Sequence, residues 1–370
     1  MYHHHWKASE GGWRSCVLPA MVALVVVAGL MAPTAADAAD TPPNNVVYVA
    51  NSQSDTVSVI DATTNDVIAA IPVGENPIGV AVAPDNAHVY VANSQSATVS
   101  VIDATTREVT ATIPVSGNPI GIDVSYGGTR VYVTDVRKDT VSVINTATNR
   151  VIATIPVDRN PFRITAIPYR RVYVANQGSD TVSVISTLTN KVIATIPVGK
   201  SPFGIRFAPN GLHVYVANQG SDTVSVISTL TNKVVSTIPV GSSPSRVVVS
   251  ADNALVYVTL LIPESVAVID AKTNKVIDTI PVEGAHFGIT ISPDGTWLYV
   301  TNLDADSVSV ISTRTRRVVD VIPVGKSPFG IRAANLVPRP RSRPHRLAPT
   351  GQTRSPGELG GKLPAVQDGE

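Results

Sequence analysis

From residue 46 to residue 335 the chain is a succession of short Val- and Ile-rich runs broken by polar turns. One unit reads Pro202 to Pro209 (PFGIRFAP), Val214 to Asn218 (VYVAN), Thr223 to Ser228 (TVSVIS) and Lys233 to Val240 (KVVSTIPV), here named A, B, C and D. Brief runs rich in β-branched residues and bounded by Gly, Asn, Asp and Ser predict strands. The connectors Asn210-Gly211, Gln219 to Asp222 and Thr229 to Asn232 are too short for helical crossovers, so consecutive strands must pair antiparallel. Each unit is therefore a four-stranded meander.

The tyrosine of strand B recurs at Tyr48, Tyr90, Tyr132, Tyr173, Tyr215, Tyr257 and Tyr299, at intervals of 42, 42, 41, 42, 42 and 42 residues. Seven copies at a near-constant period predict a solenoid, propeller or array. Strand C carries Val224 and Val226 on one face and Ser225 and Ile227 on the other, so both faces are apolar or small and must pack on neighbouring sheets. Every D strand contains Ile-Pro, and a proline that cannot donate to a ladder belongs at an edge or a bulge. D is thus the outer edge of each meander and A the inner one. The pattern begins with a B strand at Val46 and ends with an A strand, Pro328 to Asn335. The last strand supplies what the first unit lacks. The expectation is an all-β, seven-bladed propeller over residues 41–335, its ring closed by the C-terminal strand pairing in the N-terminal blade. An open solenoid would need capping repeats at its ends.

Composition changes this picture mainly at the two termini. Lys7 and Arg14 precede an uncharged apolar run over residues 17–32, followed by Thr34 to Ala39, whose small residues suit signal-peptidase cleavage near Ala38. Residues 1–40 therefore read as a secretory signal and short leader, and the expected location is periplasmic, cell-surface or extracellular. The run falls short of the roughly 20 residues that span a bilayer, so no retained transmembrane helix is expected. Cys16, the one cysteine, leaves with the leader, so no disulfide is available. Residues 336–370 carry six Lys or Arg and three acids without hydrophobic period and read as a disordered Pro/Arg/Gly-rich tail. The formal net charge of +1 gives no general pull toward nucleic acid.

The motif Tyr299-Val300-Thr301-Asn302, with variants such as Tyr48-Val49-Ala50-Asn51 and Tyr215-Val216-Ala217-Asn218, resembles the YVTN β-propeller repeat family. That resemblance covers residues 46–335. It implies a surface-layer-type propeller and is consistent with export, while leaving function open because sites are grafted onto folds.

Chemistry is sparse. Asp55, Asp139, Asp180, Asp222 and Asp306 recur in the B-to-C connectors and read as turn residues. Asp304 and Asp306 lack the remaining ligands of a calcium loop, and neither metal nor cofactor is expected. His88 and His213 open strand B in equivalent units. The repeat breaks at Leu260, Leu261 and Ile262, where a polar B-to-C turn becomes apolar, and at His286-Phe287 in the neighbouring D-to-A connector. On the same face Phe162, Phe203 and Phe329 replace Ile78, Arg163 and Arg246 replace the glycine of other units, and Arg206 and Arg332 follow two residues into strand A. Exposed apolar groups beside arginines predict a contact surface. The expected function is a non-enzymatic exported scaffold binding a protein, glycan or small anionic ligand of the cell envelope on the D-to-A and B-to-C face. The alternatives are a lactonase-like hydrolase at the channel mouth and, through the basic C-to-D turns and tail, nucleic-acid binding.

Overall fold

The computed structural model describes residues 45–284 and 286–335, with His286 through its backbone alone. The leader and tail expected from the sequence lie outside the described residues. Within them stand seven four-stranded antiparallel sheets and no helix. No helix there is long and apolar enough to cross a membrane.

Blade 1 is composite. Its A strand, Pro328–Asn335, pairs with its B strand, Asn45–Asn51, in a register running from Asn45 opposite Asn335 to Val49 opposite Ile331. Blades 2 to 7 follow in chain order, opening with A strands Pro77–Val82, Pro119–Val124, Pro161–Ile167, Pro202–Phe207, Ser242–Val249 and His286–Ile291. The D strands end on their prolines at the outer edge. Each C–D pair also slips register near its middle, as between Val184 and Ile185, well before the proline.

The core is a ring of seven interfaces, one between each pair of neighbouring blades. Val46 and Tyr48 of one B strand pack toward Val89 and Val91 of blade 2, whereas Val47 and Val49 pack toward Tyr299 and Val308 of blade 7. Period-2 alternation thus serves two neighbours at once. Burial of this kind contributes about 1.5–3 kcal/mol for each large apolar side chain removed from water.

The repeated polar residues brace the framework. The motif asparagine is buried and its Nδ2 donates across the B–C hairpin, as from Asn51 to Thr56 Oγ1 (3.1 Å) and Ser58 Oγ (2.9 Å), and likewise at Asn93, Asn176 and Asn218. The connector aspartates hold positive φ and accept from the backbone 21 residues on: Asn76 N to Asp55 Oδ1 2.8 Å, Ser201 N to Asp180 Oδ1 2.7 Å, Ser327 N to Asp306 Oδ1 2.7 Å. Asp and Asn tolerate this backbone better than other non-glycine residues. Each such bond ties a B-to-C connector to the D-to-A connector of the same face.

Candidate functional site

The seven A strands surround a central channel, and successive positions along them form layers. At the second position the A–B pairing slips in blades 2, 4, 5 and 7, making a bulge at Ile78, Phe162, Phe203 and Phe287. A bulge re-aims its side chain. Phe162 and Phe203 stand 4.2 Å apart between ring centroids, Phe203 and Phe287 6.1 Å, and Phe287 and Phe329 5.0 Å. These four rings form one aromatic row at the end of the channel flanked by the D-to-A and B-to-C connectors.

The third position explains the arginines. Five blades carry glycine there, and a Cβ on Gly79 would lie 2.3 Å from Ile120 O, on Gly288 2.4 Å from Phe329 O, and on Gly330 2.3 Å from Ile78 O. Adjacent blades approach too closely for a side chain. Arg163 and Arg246 depart from the pattern and line the cavity instead. The Arg163 guanidinium lies 5.7 Å from the Phe162 ring centre and 5.4 Å from that of Phe329, rings of blades 4 and 1. Arg246 lies 5.9 Å from Phe329. Both cations therefore rest on the aromatic row, near the channel axis.

Two positions further along strand A, Arg206, Arg332 and Asp123 enter the same space. Arg332 Nη2 lies 3.7 Å from Asp123 Oδ1. The Asp123 carboxylate also accepts from Ala166 N at 3.0 Å and from Val124 N at 3.1 Å. Four guanidiniums thus share a channel with one carboxylate. Arg163, only 6% exposed, makes a single long contact, Nη1 to Ile120 O at 3.5 Å, and its Nε and Nη2 have no partner. Arg246 Nε and Nη2 are likewise buried and unpartnered. Desolvation, with Arg246 nearby, pushes Arg163 well down from its ordinary pKa. Desolvation and then Arg206 push Arg246 down to about 9, and desolvation and then Arg332, opposed by Asp123, push Arg206 down to about 9. A guanidinium keeps its proton in practice, so these shifts record mainly the cost of desolvating the cations, with repulsion among them second. Guanidinium donors left in this way pair most strongly with carboxylate or phosphate oxygens.

The cavity measures about 570 Å³ and is lined by the A strands and by Ala83, Pro84, Tyr126, Pro209 and Pro293 of the A-to-B connectors. Its volume lies in the range of small-molecule and cofactor sites. Its opening is therefore on the A-to-B and C-to-D face. The contact surface expected from the sequence lies on the opposite face, at the end where the four phenyl rings stand.

The remaining candidates separate. Leu260 is 3% exposed and packs into the core between blades 5 and 6. Leu261 is half-buried and pairs with Glu264, because strands B and C of blade 6 extend to Ile262 and from Glu264 rather than leaving a loop. Ile262 alone of the three is exposed, at 66%. His286 pairs in register with Asn302, and its side chain lies outside the described atoms. The structure brings together Phe162, Phe203, Phe287, Phe329, Arg163 and Arg246, with Arg206 and Arg332 one layer nearer the mouth. Sequence reasoning missed the depth of the arginines and the part of Asp123 and Tyr126 in the cavity. The usable signal was Arg at positions where other blades need Gly.

The sequence profile of the cytochrome D1 heme domain family matches residues 41–328. The chain belongs to that family. The match is not to the YVTN repeat family that the Tyr-Val-Thr-Asn motif resembles, although the propeller itself stands. No curated protein sequence matches the chain. Among solved structures, the chain is similar to Kuenenia stuttgartiensis hydrazine synthase (TM-score 0.65, 19% identity, 71% of this chain and 96% of that chain). It is also similar to a functionally unknown protein from Desulfotomaculum acetoxidans DSM 771 (0.73, 17%, 79% and 99%). A third is dihydro-heme d1 dehydrogenase NirN in complex with DHE (0.61, 18%, 76% and 64%). At these identities the likeness concerns the fold. The family match overturns the expected non-enzymatic scaffold for a protein, glycan or small anionic ligand, because it points to a heme-related role.

The side chains present can be tested against such a group. Unpartnered buried guanidinium donors fit the carboxylates that hemes carry. Iron ligation is met more thinly: among the described cavity-lining side chains none is His, Cys or Met, and Tyr126, at the mouth, is of a type that ligates heme iron. Among the described residues no His/Cys/Asp/Glu cluster could hold a bare metal ion.

Proposed function

We propose that the chain binds a heme of the d1 type, or a related carboxylate-bearing tetrapyrrole, in the central cavity. The observation that carries this reading is the buried, unpartnered Nε and Nη2 donors of Arg163 and Arg246 at the floor of the cavity of a cytochrome D1 heme domain. These two arginines take carboxylates, and Arg206 and Arg332 add further positive charge. The aromatic row behind them gives an apolar wall, beside which an ion pair is stronger than in open water. When bound, such a group supplies iron-centred redox chemistry, while the chain supplies orientation, charge and dryness. The A-to-B mouth, with Tyr126 at its rim, is the side from which such a group would reach Arg163 and Arg246. The small-residue site near Ala38 supports placing this function outside the cytoplasm.

The test is an absorbance titration of the full chain with heme d1, with iron protoporphyrin IX and with the methyl esters of both. Saturable binding of a free-acid heme, weakened about tenfold or more in the ester and in Arg163→Gln/Arg246→Gln, supports the reading. Equal binding of acid and ester, or none, sinks it. An enzymatic role is then assayed as a change in the oxidation level of the bound macrocycle, the kind of step that the name of the structural neighbour NirN describes.

A further inference from the structure

The face on which the cavity opens is divided, and one half carries features that the cavity does not use. In the A-to-B and C-to-D connectors of blades 3 to 5, and in the strand ends that flank them, there is no Asp or Glu. Arg150, Arg170, Lys191 and Lys233 are all exposed there. Arg130 and Arg171 add two more cations, spent partly on Thr187 O and Thr229 O. In blades 1 and 2 the same connectors and flanks carry Asp61, Asp66, Asp85, Asp103 and Glu108.

The apolar pattern follows the same division. Among the described residues, the exposed large apolar side chains in connectors of this face are Tyr126, Tyr169, Leu188, Leu212 and Leu230, all in blades 3 to 5. Leu188 and Leu230 occupy the same position of the C-to-D turn in adjacent blades and are 65% and 78% exposed. Nothing in the turn geometry asks for leucine there; the equivalent residues are Thr63, Thr105, Ala147, Lys272 and Arg314. Tyr169 leans on the neighbouring turn at Gly211, where its Cε2 is 2.8 Å from the position of a Cβ, so blades 4 and 5 present one continuous surface.

We propose that this sector is a lipid-docking surface that seats the cavity mouth against an anionic bilayer. Leucines at turn tips can reach the acyl boundary, tyrosines suit the headgroup level, and flanking Lys and Arg meet anionic headgroups without acidic residues to repel them. An acidic protein would satisfy the cations equally. It would not call for two leucines at the apices of equivalent turns, and those favour the bilayer. The proposal is independent of which tetrapyrrole the cavity takes.

The apolar run of residues 17–32 could itself enter lipid, so the experiment must report from the sector. Leu230→Trp in the full chain is mixed with vesicles of phosphatidylglycerol or of phosphatidylcholine, each with and without brominated acyl chains, and its emission is compared with that of the parent. Expected are a blue shift and bromine quenching of the introduced indole on phosphatidylglycerol. Affinity there should exceed that on phosphatidylcholine by about tenfold at low salt and fall by a similar factor in Lys191→Gln/Lys233→Gln. Leu188→Ser/Leu230→Ser should weaken vesicle binding without altering the circular dichroism spectrum. An indole that stays unquenched while the chain sediments with vesicles overturns the proposal, because another segment then holds the lipid. Capture on heparin that the serine variant leaves unchanged, with no quenching, overturns it in favour of a polyanionic partner.

Discussion

Strands B to D and strand A of the same blades obey different rules. In blades 4 and 5 the stretches Val172 to Val198 and Val214 to Val240 differ only at Ile193 and Ala194 against Val235 and Ser236. Their A strands, Pro161-Phe162-Arg163-Ile164-Thr165 and Pro202-Phe203-Gly204-Ile205-Arg206, already diverge by the third residue. The outer strands face neighbouring blades on both sides and repeat because each interface repeats. The inner strand has one free edge on the channel, and only where adjacent blades leave room, as at Arg163 and Arg246, can its side chains vary. Uniformity marks framework, and variation along the channel marks the site.

This contrast can be broken from either side. The largest effect belongs to the framework: Tyr173→Ala removes a fully buried ring and its 2.8 Å hydrogen bond to Asn232 Oδ1, and should cost about 3–5 kcal/mol in denaturant unfolding while leaving heme affinity unchanged in the folded fraction. Leu260→Ala should cost about 2–5 kcal/mol, and Ile262→Ser in the same hairpin should stay within about 0.5 kcal/mol. A reversed order would return the blade 6 hairpin tip to the role of a contact surface.

Alkaline titration probes the same framework collectively. Burial raises the phenols of Tyr90, Tyr132, Tyr173, Tyr215 and Tyr257, and pushes Tyr48 and Tyr299 up to about 12. A raised folded pKa gives stability that is complete below the unfolded value of about 10 and is lost as pH rises through the folded value. Stability should therefore fall between about pH 10 and 12, with tyrosinate absorbance appearing together with unfolding. Tyrosinate forming well ahead of unfolding would show these rings to be accessible.

The smallest stability effect belongs to the channel. Arg163→Gln/Arg246→Gln removes uncompensated buried charge and should leave the protein as stable as before or about 1 kcal/mol more so, even as tetrapyrrole affinity falls about tenfold or more. Marked destabilisation would make these arginines structural.

The ring was legible because Tyr48 to Tyr299 repeat at a fixed interval and because the pattern starts on B and stops on A. The site was legible as a set of names and not as a place. Phe162, Phe203, Phe287, Phe329, Arg163 and Arg246 stood out against the repeat, yet strand alternation could not show that a bulge turns the rings inward or that the arginines lie beneath them. Leu260 misled for the converse reason: an apolar residue in place of a polar turn residue looks exposed until the hairpin is found to continue through it. The heme-related role was not readable from spacing, since the cavity offers guanidinium donors without a recognisable set of iron ligands.

The pairing of Asn45–Asn51 with Pro328–Asn335 also governs the order of events during synthesis. Blade 1 emerges from the ribosome with its B strand lacking an inner neighbour and must wait until almost the whole described chain has been made. Contacts so distant in sequence form slowly. Through that interval the inner edge of Asn45–Asn51 is an unpaired strand edge, the kind of edge through which chains exchange strands.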